Sequence, residues 1–257
     1  MTSAPDTPPR PTASDPAGRP RIFQIGFNRC GTTTLALFLR ENGISASHWR
    51  GGKIARQFFR AKNKNQRPFM ADPVTTAYTD MIHVDERRAM DAALEFEYIY
   101  KHYPDSYYIL NTRRREDWIR SRMGHSDTRD KFAALLGTDD DETIAAHWRQ
   151  TWDQHHEKVQ GFFGARPEAK FLVFDIDRHG GAEVAAFLAP DFPGVDAAHY
   201  GHFNRTPRRA RVSRRRMLAR ALRRGVDRSG GRPGRGAGGS GRGGVWSRLR
   251  RLFGLDK

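Results

Sequence analysis

The chain has almost no cysteine, no long apolar run and no walker-type lysine after its glycine-rich loop. Each absence removes a class of protein. A single cysteine, Cys30 among 257 residues, excludes a disulfide framework and a cysteine zinc site and fits a reducing compartment. No apolar run approaches the ~20 residues that span a bilayer. Met1 to Pro20 holds prolines at 5, 8, 9, 11, 16 and 20 and lacks the apolar stretch of a secretory signal. The expected location is cytoplasmic.

Acidic residues are scarce at one end only. Positions 208–257 contain 17 of the 45 basic residues and 2 of the 29 acidic ones, which leaves 28 basic and 27 acidic residues elsewhere. The net charge of +16 therefore belongs to a basic tail attached to a nearly neutral body. Three segments are expected: a disordered proline-rich arm over 1–20, a folded domain over 21–206, and an Arg/Gly-rich tail over 207–257. Within the tail, Arg208 to Arg224 reads as a basic helix and 225–244 as a flexible linker with 10 glycines. Trp246, Leu249 and Phe253 recur at helical spacing among arginines, which suits contact with an anionic membrane surface or another polyanion. Specific nucleic-acid binding is disfavoured, because the charge is confined to the tail and the body shows no aromatic stacking platform.

In the body, short apolar runs alternate with helical patterns. Strands are expected at Arg21–Gly26, Ile44–His48, Tyr107–Asn111 and Lys170–Phe174. Helices are expected at Thr32–Glu41, Asp85–Tyr103, Glu116–Met123, Glu142–Phe163 and Glu183–Leu188, with a mixed basic stretch up to Pro73. This alternation predicts a three-layer α/β fold with a central, mostly parallel sheet.

The most informative stretch is Gly26, Phe27, Asn28, Arg29, Cys30, Gly31, Thr32, Thr33, Thr34. It lies between a predicted strand and a predicted helix, where free backbone N–H groups and the helix dipole attract anions. A nucleotide triphosphatase needs G-x-x-x-x-G-K-[ST] here. This chain has Thr32 in place of that lysine, and its cation, Arg29, comes two residues before the second glycine. A nucleotide kinase or phosphotransferase is the rival reading, and the missing lysine counts against it.

The pattern resembles the 5′-phosphosulfate loop of the P-loop sulfotransferases, in which Lys or Arg, a small residue and Gly-Thr-Thr follow one another. The resemblance implies 3′-phosphoadenosine 5′-phosphosulfate (PAPS) as sulfuryl donor, no metal, and an acceptor bearing a hydroxyl or amine. It implies that Arg29 meets the transferring sulfuryl group, and that Asn28, Cys30, Gly31, Thr32, Thr33 and Thr34 form the cradle for the 5′-phosphate. It further implies an arginine at a strand end and a serine eight residues on for the 3′-phosphate, which here are Arg113 and Ser121. Three consecutive arginines, Arg113 to Arg115, leave open which one faces the phosphate. Arg205 corresponds to the basic segment that closes over the nucleotide. The resemblance covers about residues 21–206.

Transfer to an alcohol or amine calls for a general base. His48, at the end of a predicted strand, ranks first, and Asp80 second. His147, His155 and His156 share a helix with Trp148 and Trp152 and read as packed histidines. Cys30 reads as a packing residue.

Overall fold

The computed structural model describes residues 20–70 and 72–201. The proline-rich arm, the basic tail and Arg205 lie outside the described residues.

Seven strands and seven α-helices are present among these residues: β1 Ile22–Gln24, α1 Thr32–Glu41, β2 Ala46–His48, α2 Lys53–Asn63, β3 Ala77–Thr79, β4 Ile82–Val84, β5 Ala89–Asp91, α3 Phe96–His102, β6 Tyr107–Thr112, α4 Arg115–Met123, α5 Ser126–Leu136, α6 Asp141–Gly164, β7 Phe171–Asp175 and α7 Gly181–Leu188. Five strands form one sheet in the order β2-β3-β1-β6-β7, and all four pairings are parallel. β4 and β5 form a separate antiparallel hairpin.

The pleat explains the layers. Successive strand side chains point to opposite faces, so Ile22 and Tyr107 enter one core while Phe23 and Tyr108 enter the other. The first core gathers Leu35, Phe38 and Leu39 of α1 with Val184 and Leu188 of α7. The second gathers Phe58 of α2, Phe96 and Ile99 of α3 and Phe163 of α6. Helices therefore cover both faces of the sheet, as the alternating sequence pattern predicts. A third cluster, with Phe27, Trp118, Phe132, Trp148 and Trp152, ties α4, α5 and α6 to the loop after β1.

The expected helix over Asp85–Tyr103 is corrected to a hairpin, a short 3₁₀ turn and α3. Local polar chemistry decides this. The Asp85 carboxylate accepts the N–H groups of Arg87 and Arg88 at 2.9 and 3.0 Å, which closes the turn between β4 and β5. Asp91 then accepts the N–H of Ala93 at 3.0 Å and caps the 3₁₀ turn. The mixed basic stretch contains α2, whose Ile54, Ala55 and Phe58 are buried beneath an exposed basic face. α5 and β3 are further elements that the sequence pattern did not reveal.

His155 is a packed histidine. It is 3% exposed and its Nε2–H donates to the Ile25 carbonyl at 2.7 Å, which pins α6 to the chain just after β1. Burial pushes its pKa from 6.5 down to about 3. The unfolded chain therefore takes up a proton near pH 6.5 that the folded chain refuses. Stability from this group is full above pH 6.5 and is lost as pH falls toward 3. The wild type should lose about 2 kcal/mol relative to His155→Gln between pH 7 and pH 5, measured by denaturant unfolding. A difference that does not change with pH would contradict the assignment.

Candidate functional site

Parallel strands place all their C-terminal ends at one edge of the sheet, where ligands of such folds collect. Here β1 runs into the glycine loop, β6 into Arg113, β3 into Asp80, and β2 ends on His48. Residues as far as 92 positions apart in sequence meet there.

The loop is held open by two buried amides. Asn111, at the end of β6, donates to the carbonyls of Phe27 and Cys30 at 3.3 and 2.7 Å and accepts the N–H of Gly26 at 3.0 Å. Gln24 donates to the Gly26 carbonyl and to Asn111 Oδ1, and its own Oε1 accepts the N–H of Asp80 at 2.8 Å. No other residue fits at position 26, because a Cβ there would stand 2.0 Å from the Asn111 carbonyl oxygen. Sequence reasoning missed Gln24 and Asn111. The signal was a lone polar residue within each of two otherwise apolar strands.

Gly31 takes the left-handed conformation with φ 74° and leads into α1, and no side chain caps that helix. The first turn holds no acidic residue. The N–H groups at the start of α1 are thus left for an outside anion. Thr32 and Thr34 are buried and Thr33 is partly exposed. Arg29 also lies in the left-handed region, with φ 67°, which costs an L-residue about 1–2 kcal/mol. Its Nε–H donates to Ser121 Oγ at 3.0 Å. Trp118 fixes the neighbouring turn by donating to the Asn28 carbonyl at 2.9 Å.

The arginine triplet separates by environment. Arg113 donates to the Arg29 carbonyl at 3.3 Å and lies 3.8 Å from Asp177. Arg114 pairs with Asp117, and Arg115 with Glu116 and Asp153, on the surface. Only Arg113 of the three stands against the loop, and its buried Nε has no hydrogen-bond partner among the described residues. The same holds for Asn28 Oδ1. An orphaned donor beside an uncapped helix start suits a phosphate-bearing ligand. Cys30 is fully buried in the cluster with Phe27 and Trp118, and burial pushes its thiol far above the ordinary range. It lines the loop by packing.

His48 and Asp80 come together. His48 Nδ1 lies 2.9 Å from Thr79 Oγ1, which gives its single proton to the Ser47 carbonyl at 3.5 Å. Nδ1 thus faces Thr79, and Nε2 faces the opposite side. That Nε2 lies 3.3 Å from Thr33 Oγ1 and 3.8 Å from Asp80 Oδ2. Burial first, and the charge of Arg40 second, push His48 down to about 4, so it is neutral at pH 7. Burial raises Asp80 to about 6, opposed by Arg122 and Arg29. Through Thr33, the first turn of α1 touches this pair directly.

Asn111→Ala removes four hydrogen bonds and strands two carbonyls, a backbone N–H and the Gln24 amide. It should lower unfolding free energy by about 4 kcal/mol, at about 1 kcal/mol per bond. Chemical denaturation checks this, and a loss under about 1 kcal/mol would contradict the role of Asn111.

No curated protein matches the chain. Residues 21–133 match the family model described as a sulfotransferase domain, and that stretch carries the glycine loop, His48, Asp80, Arg113 and Ser121. The stretch that builds most of this sheet edge is therefore similar to a sulfotransferase domain.

Proposed function

We propose that the chain transfers a sulfuryl group from PAPS to a hydroxyl or amine of an acceptor. The observation that carries this reading is the uncapped start of α1, with Arg29, Ser121 and Arg113 joined beside it. The backbone of Gly31 to Thr34 would hold the 5′-phosphosulfate. Arg29 would meet the negative charge that grows on the departing phosphate oxygen, a fixed cation of the kind that stabilises such a transition state. Arg113 and Ser121 would grip the 3′-phosphate, with Arg113 as the bidentate partner.

The acceptor would enter beside His48 and Asp80. Its O–H or N–H proton must leave as the new bond to sulfur forms, and near neutral pH Asp80 is mostly a carboxylate and His48 a neutral imidazole. A lipid, a carbohydrate or a small metabolite each supplies such a group.

A nucleotide kinase would place a lysine where Thr32 stands. Arg29 lies within the loop, two residues before Gly31, which favours a sulfate donor over a magnesium-bound triphosphate.

Calorimetric titration with 3′-phosphoadenosine 5′-phosphate tests the reading. The wild type should bind without magnesium. Arg113→Ala should weaken binding at least about 30-fold, the loss of a charge-assisted pair worth about 2 kcal/mol. Binding of ATP with magnesium in preference to this nucleotide would overturn the proposal in favour of the kinase.

A further inference from the structure

The surface that follows His48 carries charge that the fold does not balance. α2 and the residue that caps it hold Lys53, Arg56, Arg60, Lys62 and Lys64 and no acid. Lys62 pairs with Glu95 at 2.6 Å. The other four are exposed. They lie 3, 4 and 4 residues apart, so they line one side of the helix. At about 1.5 Å per residue the row is about 16 Å long. Lys53, Arg60 and Lys64 have no ion pair among the described residues. Arg56 donates to the Gly51 carbonyl and to His83 Nδ1, both at 3.0 Å, and meets no carboxylate among them. By contrast, every surface cation of α4, α5 and α6 faces a carboxylate. Like charges three or four residues apart repel, and cations in a first turn oppose the helix dipole. The fold draws no stability from this row.

The row starts where the chain leaves the acceptor side. Residues 49 to 52 link His48 to α2 with φ of 51°, 50°, 63° and 74°. Trp49, with ψ −60°, takes a strained γ-turn conformation that bulky residues avoid. Neighbours hold it there. Its N–H donates to the carbonyl of Thr79, the residue before Asp80, at 3.2 Å, and its carbonyl accepts the Gly52 N–H at 3.0 Å. Arg50 pairs with Asp72 at 3.0 Å, and a Cβ at position 52 would stand 2.5 Å from the His83 ring. The Trp49 side chain is nevertheless 51% exposed. Strain fixed by surrounding contacts gathers at ligand sites, and an indole set half in water adds little to a core.

We propose that Trp49 and the row Lys53, Arg56, Arg60 and Lys64 form the acceptor-binding surface, and that the acceptor is an acidic glycan, a chain of sugar rings carrying carboxylates. This rests on the sulfuryl-transfer reading above. One ring of the chain lays its apolar C–H face on the indole and so brings a hydroxyl to His48 and Asp80. The carboxylates beyond it follow the row. A single phosphate meets one or two of these cations, whereas their spread over about 16 Å fits anions in series. An anionic membrane would also attract the row, but a helix lying in a bilayer surface inserts its apolar side. The apolar side of α2, with Ile54, Ala55 and Phe58, is buried in the protein.

Lysine footprinting of the full chain tests this, because acetylation is read residue by residue and separates α2 from the arginine-rich tail. The probe is an octamer of galacturonic acid, with its methyl ester as the uncharged control. The octamer should slow acetylation of Lys53 and Lys64 together, to about a fifth at about four times the midpoint concentration, and leave the exposed Lys101 unchanged. Trp49→Ala and Arg60→Gln should each raise the midpoint about two- to fivefold, the weight of one aromatic contact or one exposed ion pair. Lys53 and Lys64 shielded no more than Lys101, shielding by the methyl ester equal to that by the octamer, or a midpoint unmoved in both variants would overturn the proposal. Vesicles of phosphatidylglycerol that shield both lysines where the octamer does not would assign the face to a membrane instead. The same samples are titrated with 3′-phosphoadenosine 5′-phosphate. Nucleotide binding without the footprint leaves the sulfuryl-transfer reading standing and removes this acceptor. The footprint without nucleotide binding leaves a glycan-binding face and ends its part in sulfuryl transfer.

Discussion

The Asn111 side chain is the contact on which the site depends. It reaches from the end of β6 into the turn after β1, bonds Gly26, Phe27 and Cys30, and fixes the path of the backbone before α1 begins. A loop of free N–H groups cannot hold itself open, because its own side chains would cap the helix. A side chain from the neighbouring strand does the work from beneath, and the helix start stays clear. Gln24 extends the same amide pair to the N–H of Asp80, so the glycine loop and the turn after β3 share one buried support.

Charge is partitioned with similar economy. Three arginines in a row follow β6, yet Arg114 and Arg115 are neutralised by surface acids and only Arg113 turns to the loop. Exposed pairs of that kind contribute little stability; here their effect is to leave one cation for the loop. Further along α4, Ser121 and Arg122 point to different sides. Ser121 meets Arg29, while Arg122 sits in its aromatic cage.

Much of this was legible in the sequence. The apolar runs at Ile22–Gln24 and Tyr107–Thr112 stand out because a parallel strand buried on both faces is largely apolar. The glycine loop was legible because its chemistry is local. What escaped was chemistry across distance. Nothing in the neighbours of Asn111 says that its amide will bond a turn 85 positions earlier. α2 hid because its exposed face is so basic that Ile54, Ala55 and Phe58 make a weak stripe. The region 85–91 shows the reverse error: Met90, Ala93 and Leu94 fall at helical spacing, but the Asp85 side chain captures two backbone N–H groups and turns the chain into a hairpin. His48 was singled out at the end of a predicted strand and Asp80 from the resemblance alone, and their approach to 3.8 Å follows from the parallel pairing of β2 with β3.

The central claim is that the uncapped start of α1 is the seat of the donor's 5′-phosphate and that Arg113 serves its 3′-phosphate. A crystal structure of the chain with 3′-phosphoadenosine 5′-phosphate tests it most directly. The account predicts the 5′-phosphate against the N–H groups of Gly31 to Thr34 and the 3′-phosphate within hydrogen-bond distance of Arg113. A nucleotide seated elsewhere, or one whose 3′-phosphate leaves Arg113 bonded to the Arg29 carbonyl alone, would contradict it.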